Sequence, residues 1–282
     1  MTSVIERVLV IFAAVFSVGI LIFILVYILG NGIPSFFTTD ETGKTVFNTG
    51  LFAWKYTSSN QSMMPAIINT LIMMGLVLVI SVPIGMFSAI YLVEYAKRGS
   101  KLVKVVRVTT ETLSGIPSIV FGLFGYLFMV VPMKQNSLFA GAITMSMMVL
   151  PLIMRTTEEA LKAVPDSYRE GSFGLGAGKL RTVFRTVLPT AIPGILSGVI
   201  LAIGRVSGET AALIYTAGTI TGVPSSIMGS GRTLAVHMYA QLNEGIYMDQ
   251  AYATAVVLLL MVLLLNGLSG LVGKMAQKKN QQ

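Results

Sequence analysis

The sequence predicts an all-α, polytopic membrane protein with six spanning helices. Three observations predict it. The 282 residues are 54% hydrophobic and 11% charged, with a mean hydropathy of +0.78, whereas about a quarter of a soluble globule's residues are charged. The apolar residues gather into uncharged runs near or above the roughly 20 residues that a helix needs to cross the hydrocarbon core. None of these runs shows the alternating segments of about ten residues that a barrel strand requires, and a helix satisfies its own backbone in lipid.

The runs place the spans in order. The first, at about residues 8–30, follows Arg7. Its apolar stretch is longer than the 7–15 residues of a secretion signal and no small-x-small cleavage site follows it, so it is expected to span rather than be removed. Further spans are expected at about 64–93, 112–133, 136–154, 188–215 and 250–273. No composition shift or repeat divides the chain, which reads as one transmembrane domain over 1–282. Cysteine is absent, so neither disulfides nor cysteine-bound metal enter the fold.

Charge orients these spans, because cytoplasmic loops collect Lys and Arg. Alternating the loops puts 15 of the 20 cations on one side: Arg7, a group from Lys97 to Arg107, a group from Arg155 to Arg185, and Lys274, Lys278 and Lys279. The other side holds Lys44, Lys55, Lys134 and Arg232, balanced by Asp40, Glu41, Glu244 and Asp249. The formal charge of +8 therefore lies on the cytoplasmic face, both termini are cytoplasmic, and the basic pI needs no nucleic-acid partner.

The inward loops are then residues 94–111 and 155–188. The second is patterned. Ser167 and Glu170 have the S-x-x-E spacing of a capping box at the start of a short helix. Gly174, Gly176 and Gly178 follow and allow a tight reversal. Leu180, Val183, Phe184 and Val187 recur at helical spacing, and Pro189 is expected to close that second helix. Such a protrusion suits either an interfacial element whose arginines rest on anionic headgroups or a docking element for a cytosolic partner.

The residues here resemble a family. Glu170-Gly171-Ser172, three residues, Gly176, nine residues, Thr186, one residue, Leu188-Pro189 has the spacing of the inward loop of ABC importer permeases. That loop reads E-A-A, three residues, G, nine residues, I, one residue, L-P. Gly171 and Ser172 replace its alanines and Thr186 its isoleucine. The resemblance implies the type I ABC importer permease fold and a short helix that seats in a cleft of an ATPase. A narrower likeness follows in Ile203 to Leu213, IGRVSGETAAL, which is similar to the fifth span of phosphate-importer permeases, more to the PstA-type subunit than to its PstC-type partner. This implies an ATP-driven importer of inorganic phosphate across the cytoplasmic membrane. Its partners would be a PstC-like permease subunit, a cytoplasmic ATPase dimer, an extracytoplasmic phosphate-binding protein and lipid. No catalytic residue, metal or cofactor is expected of this chain.

Arg205 and Glu209 are four apart on an expected helix and so share a face. Counting from Pro189 at 1.5 Å per residue puts Arg205 about 24 Å along the span. One reading is a self-neutralising pair that locks helices; the other is an anion site on the translocation path, since Arg matches phosphate oxygens bidentately, with Glu209 holding the guanidinium. Gly194 and Gly198, and likewise Gly204 and Gly208, have small-xxx-small spacing for close helix approach.

Other features are expected to be inert. Gly174 to Lys179 is not a phosphate loop, because Phe173 and Leu180 stand where that motif needs glycine and a hydroxyl. Residues 218–231 read as an external or re-entrant loop whose Gly229-Ser230-Gly231-Arg232 end is a turn or an anion nest. His237 reads as polar surface, the 17 methionines as packing or lipid-facing residues, and Trp54 and Tyr56 as outer headgroup anchors. A permease for molybdate or sulfate would keep the same features. An ion-coupled secondary transporter would need no inward docking loop and usually shows an internal repeat.

Overall fold

The computed structural model describes residues 2–39, 44–97 and 99–280. Asp40, Glu41 and Arg98 fall outside the described residues, as do the side chains of Lys274, Lys278 and Lys279. Among the described residues ten α-helices follow in order: α1 (Thr2–Gly32), α2 (Met64–Ile90), α3 (Lys101–Gly115), α4 (Ser118–Met133), α5 (Leu138–Lys162), α6 (Asp166–Gly174), α7 (Lys179–Ser207), α8 (Ala211–Thr216), α9 (Leu234–Glu244) and α10 (Met248–Asn280). One antiparallel ribbon, Phe37–Thr39 with Thr45–Phe47, follows α1. Phe36, Phe47 and Phe52 stack beside it.

Among the described residues five helices are long and apolar enough to cross a membrane, or six if the bent pair α3 and α4 is one span. That pair corrects the expected straight span at 112–133. α3 and α4 meet at 102° because Pro117 drives Ile116 into extended backbone (ψ 130°). The expected loop at 94–111 is therefore mostly helix. α3 is amphipathic, with Lys101, Lys104 and Arg107 among apolar residues and none of its residues buried, as suits a helix along the membrane surface.

α2, α5 and α7 form the centre. Met73, Met74 and Val77 of α2 pack on Met145, Met148, Val149 and Ile153 of α5 and on Ala202, Ile203 and Val206 of α7. These methionines are packing residues. Glycines set the spacing. A Cβ on Gly194 would lie 2.6 Å from Cβ of Ala160, and one on Gly198 would lie 1.9 Å from Oγ1 of Thr156, so this pair seats α7 on α5. Gly204 has open space instead. α1 stays at the periphery, exposed from Val4 to Tyr27 and joined to α10 by Tyr27 and Tyr252, whose hydroxyls are 3.1 Å apart.

Two further expectations about α7 are corrected. Pro189 does not end a helix: α7 runs from Lys179 to Ser207, and the turn ahead of the proline widens to π over Val183–Val187, which eases the ring against the preceding carbonyls. At the other end the expected span 188–215 breaks. Gly208 caps α7, and Glu209 and Thr210 lie between it and α8.

Candidate functional site

The hairpin expected on the cytoplasmic side is built by α6 and the start of α7. The expected capping box does not form. α6 begins at Asp166 after Pro165, with no side-chain cap, so Ser167 lies inside the first turn. Proline in extended backbone (ψ 141°) starts the helix by itself, and exposed Asp166 faces the positive end of the dipole. The reversal rests on one of the three glycines. Gly176 has φ +81°, Gly176 N–H donates to Phe173 O at 2.9 Å and Ala177 N–H to Ser172 O at 3.1 Å. That is a Schellman motif with Gly176 at its left-handed position. Gly174 is helical, and Gly178, at φ −71°, is in ordinary extended backbone.

Ser172 Oγ is 2.8 Å from Thr182 Oγ1, so the serine that replaces an alanine of the family pattern ties the two arms together. Gly171 has open space and Glu170 is exposed. Beneath the hairpin Ile90, Leu161, Val164, Val183 and Val187 form a buried cluster, with Leu188 partly buried against it. Tyr168, Phe173 and Leu175 point outward, Leu175 being 90% exposed.

The second place is the break after α7. Arg205 sits in the last turn of α7, exposed, and makes no ion pair or hydrogen bond among the described residues. Its expected pairing with Glu209 is corrected: the helix stops at Ser207, so the i, i+4 geometry is lost. The Glu209 carboxylate instead accepts from the N–H of Ala212 at 3.1 Å, capping α8. Ser207 is buried and donates to Ile203 O at 2.7 Å. The structure therefore leaves Arg205 and Glu209 near each other in sequence but unpaired.

Residues 217–233, expected from sequence to be an external or re-entrant loop, fold back over the start of α5 and the end of α8. Leu138 N–H and Phe139 N–H at the start of α5 donate to Gly229 O and Ile227 O. Gly231 N–H and Arg232 N–H donate to Ala217 O and Ile220 O, so these two amides of the anion nest considered from sequence are occupied. A buried polar cluster lies beneath, and sequence reasoning missed it. Arg232 is 5% exposed and stacks on Tyr56 at 4.7 Å. His237, placed on the surface from sequence, is 1% exposed on α9, and burial followed by the Arg232 charge pushes its pKa down to about 3. Tyr56 donates to Gln61, and Asn69 donates to Arg232 O and Gly222 O. Asn69 and Thr70, two polar residues inside an apolar run, were the available signal.

A separate cleft of about 250 Å³ lies between α3 and α5. Arg107, Arg155 and Lys162 there face Glu111, Glu158 and Glu159. The charges balance, which makes it a poor collector of anions.

A bundle of spanning helices with a folded hairpin before its last two spans, and a broken helix carrying a bare cation, is the build of an importer's membrane subunit. Residues 81–279 match the family of binding-protein-dependent transport system inner membrane components, and the chain belongs to that family. Within it, the chain is 34% identical over 204 residues to the phosphate transport system permease protein PstA of Yersinia pestis, covering 72% of this chain and 68% of that one. It is 33% identical over 220 residues to PstA 1 of Mycobacterium tuberculosis, covering 77% and 71%. It is also 31% identical over 228 residues to the probable ABC transporter permease YqgI of Bacillus subtilis, covering 75% and 77%. Two solved structures share the fold. A bacterial ABC transporter involved in alginate import has a TM-score of 0.69 at 15% identity, covering 96% of this chain and 97% of that one. The inward-facing MetNI methionine ABC transporter has 0.60 at 20% identity, covering 75% and 93%. The fold is that of a type I ABC importer permease, and the protein is a multi-pass component of the inner membrane.

Proposed function

We propose that the chain is one of two membrane subunits of an ATP-driven importer of inorganic phosphate. The observation that carries this is the unpaired, exposed guanidinium of Arg205 in the last turn of a spanning helix. A charge facing lipid costs more the deeper it lies, up to roughly 2.5–3.5 kcal/mol at the bilayer centre, and we assign this face to a partner subunit or a hydrated path. An arginine not spent on Glu209 keeps its full fork for an oxyanion. Two of the three named relatives are phosphate transport permeases, which supports phosphate as that oxyanion. Glu209 fixes the break that ends α7 rather than neutralising the cation.

The chain hydrolyses nothing itself. Its hairpin of Ser167, Glu170, Gly171, Ser172, Gly174, Gly176, Leu188 and Pro189 docks on a separate cytoplasmic ATPase dimer. Support comes from Tyr168, Phe173 and Leu175, which present apolar surface on a protrusion outside the spans. A second, PstC-like permease covers the Arg205 face, an extracytoplasmic phosphate-binding protein delivers the ion, and both termini are cytoplasmic. The test is phosphate uptake into vesicles holding the assembled complex, with molybdate and sulfate as competitors. Uptake that persists without ATP would overturn the proposal, and stronger competition by molybdate or sulfate would change the cargo.

A further inference from the structure

The geometry points to Arg169 and Glu94 as the positioning contact that fastens the cytoplasmic hairpin to α2, so that hairpin movement is passed to α2 as well as along α7. This rests on the reading of the hairpin as an ATPase dock.

Arg169 lies midway along α6, and its side chain points inward. It is 15% exposed and Glu94 8%. Nη2 and Nε donate to one Glu94 carboxylate oxygen at 2.7 and 3.2 Å. The same guanidinium donates to Leu161 O at 2.9 Å and Val164 O at 2.8 Å, carbonyls at and just beyond the end of α5. It also reaches Asp166 at 3.2 Å. One planar fork thus joins the end of α2, the end of α5 and the first turn of α6. Lysine, with a single ammonium centre, cannot span those acceptors.

Glu94 belongs to the π turn Tyr91–Tyr95 that ends α2. The next residue, Tyr95, receives the other arm of the hairpin: Lys179 Nζ sits 5.1 Å over its ring. Both arms are therefore tied to two consecutive residues at the tip of α2. α2 packs along α5 and also reaches α7. The outward face of α6 is left free, while the apolar cluster under the hairpin holds it in place. Loss of the ion pair should loosen the transmission and spare the docking.

The test compares the complete transport complex in vesicles with its Arg169→Lys and Glu94→Gln variants, reading ATP hydrolysed per phosphate moved and ATPase retained on purification. The expected result is full ATPase retention with a severalfold rise in that ratio. The exchanged pair, Glu94→Arg with Arg169→Glu, should recover part of the coupling lost by either reversal alone. An unchanged ratio in both variants, or a rise that only tracks lost ATPase, would overturn the inference while the wild-type complex stayed coupled. If the wild-type complex retains no ATPase, the docking reading itself fails and takes the inference with it.

Discussion

At the residue scale, two cations at opposite degrees of burial carry the most consequence. Arg205 is bare and exposed on a spanning helix, so Arg205→Gln should abolish uptake while ATPase binding persists; near-normal uptake would return it to a structural role. Arg232 is instead packed on Tyr56 near buried His237. That histidine stays neutral in the fold because its pKa is held at about 3, below its ordinary 6.5. The unfolded chain binds a proton as pH falls through 6.5 and the folded one does not, so stability is complete above that pH and drains away below it. By pH 5 the loss should reach about 2 kcal/mol. His237→Gln should flatten the fall in melting temperature between pH 7 and pH 5, and parallel slopes for variant and wild type would refute this account.

At the element scale, the hairpin depends on a single left-handed residue. A β-branched side chain at Gly176 costs about 1–2 kcal/mol in that conformation, so Gly176→Val should leave the spans assembled but lose transport-coupled hydrolysis. Coupling that survives would make the hairpin a lipid contact. Gly198→Val should act elsewhere, pushing α7 off Thr156 and lowering stability by about 1–3 kcal/mol, which thermal unfolding in detergent would read. The apolar runs made the long helices legible, and the spacing from Glu170 to Pro189 made the hairpin legible. What stayed hidden were the interruptions. Pro117 turns an uncharged run by 102°, and Gly208 stops a helix within the polar stretch Arg205 to Thr210, whose charges at i and i+4 also suit a continuing helix. A periodic pattern records which residues suit a helix, while a break is decided by where a glycine or proline meets its neighbours. Arg169 was invisible for a related reason: its partner Glu94 is 75 residues away, and only tertiary packing brings them together.

At the scale of the whole molecule, the single chain is incompletely covered. α1 is exposed from Val4 to Tyr27, and an apolar groove lined by Val120, Phe124 and Met147 opens beside α4. Part of that surface faces lipid, while the Arg205 face is the one proposed to meet a second permease. Co-expression with the second permease should therefore raise the melting temperature of the purified protein by several degrees over the chain alone, and equal values would argue that this face is finished without a partner.

One rod links the two ends of the molecule. α7 is continuous from Lys179 beside the hairpin to the turn that bears Arg205, and it rests on α5 at Gly194 and Gly198. Taking that rest as a fulcrum, the inner arm is about 25 Å and the outer arm about 14 Å at 1.5 Å per residue. A lever of this kind reverses direction and shortens the stroke by nearly half. Closing the hairpin ends would then swing the far ends apart, a single part serving two gates that cannot open together. Spin labels at Leu180 and Leu201, which move in the same sense during ATP turnover, would dismiss the lever; opposed movement would measure its ratio.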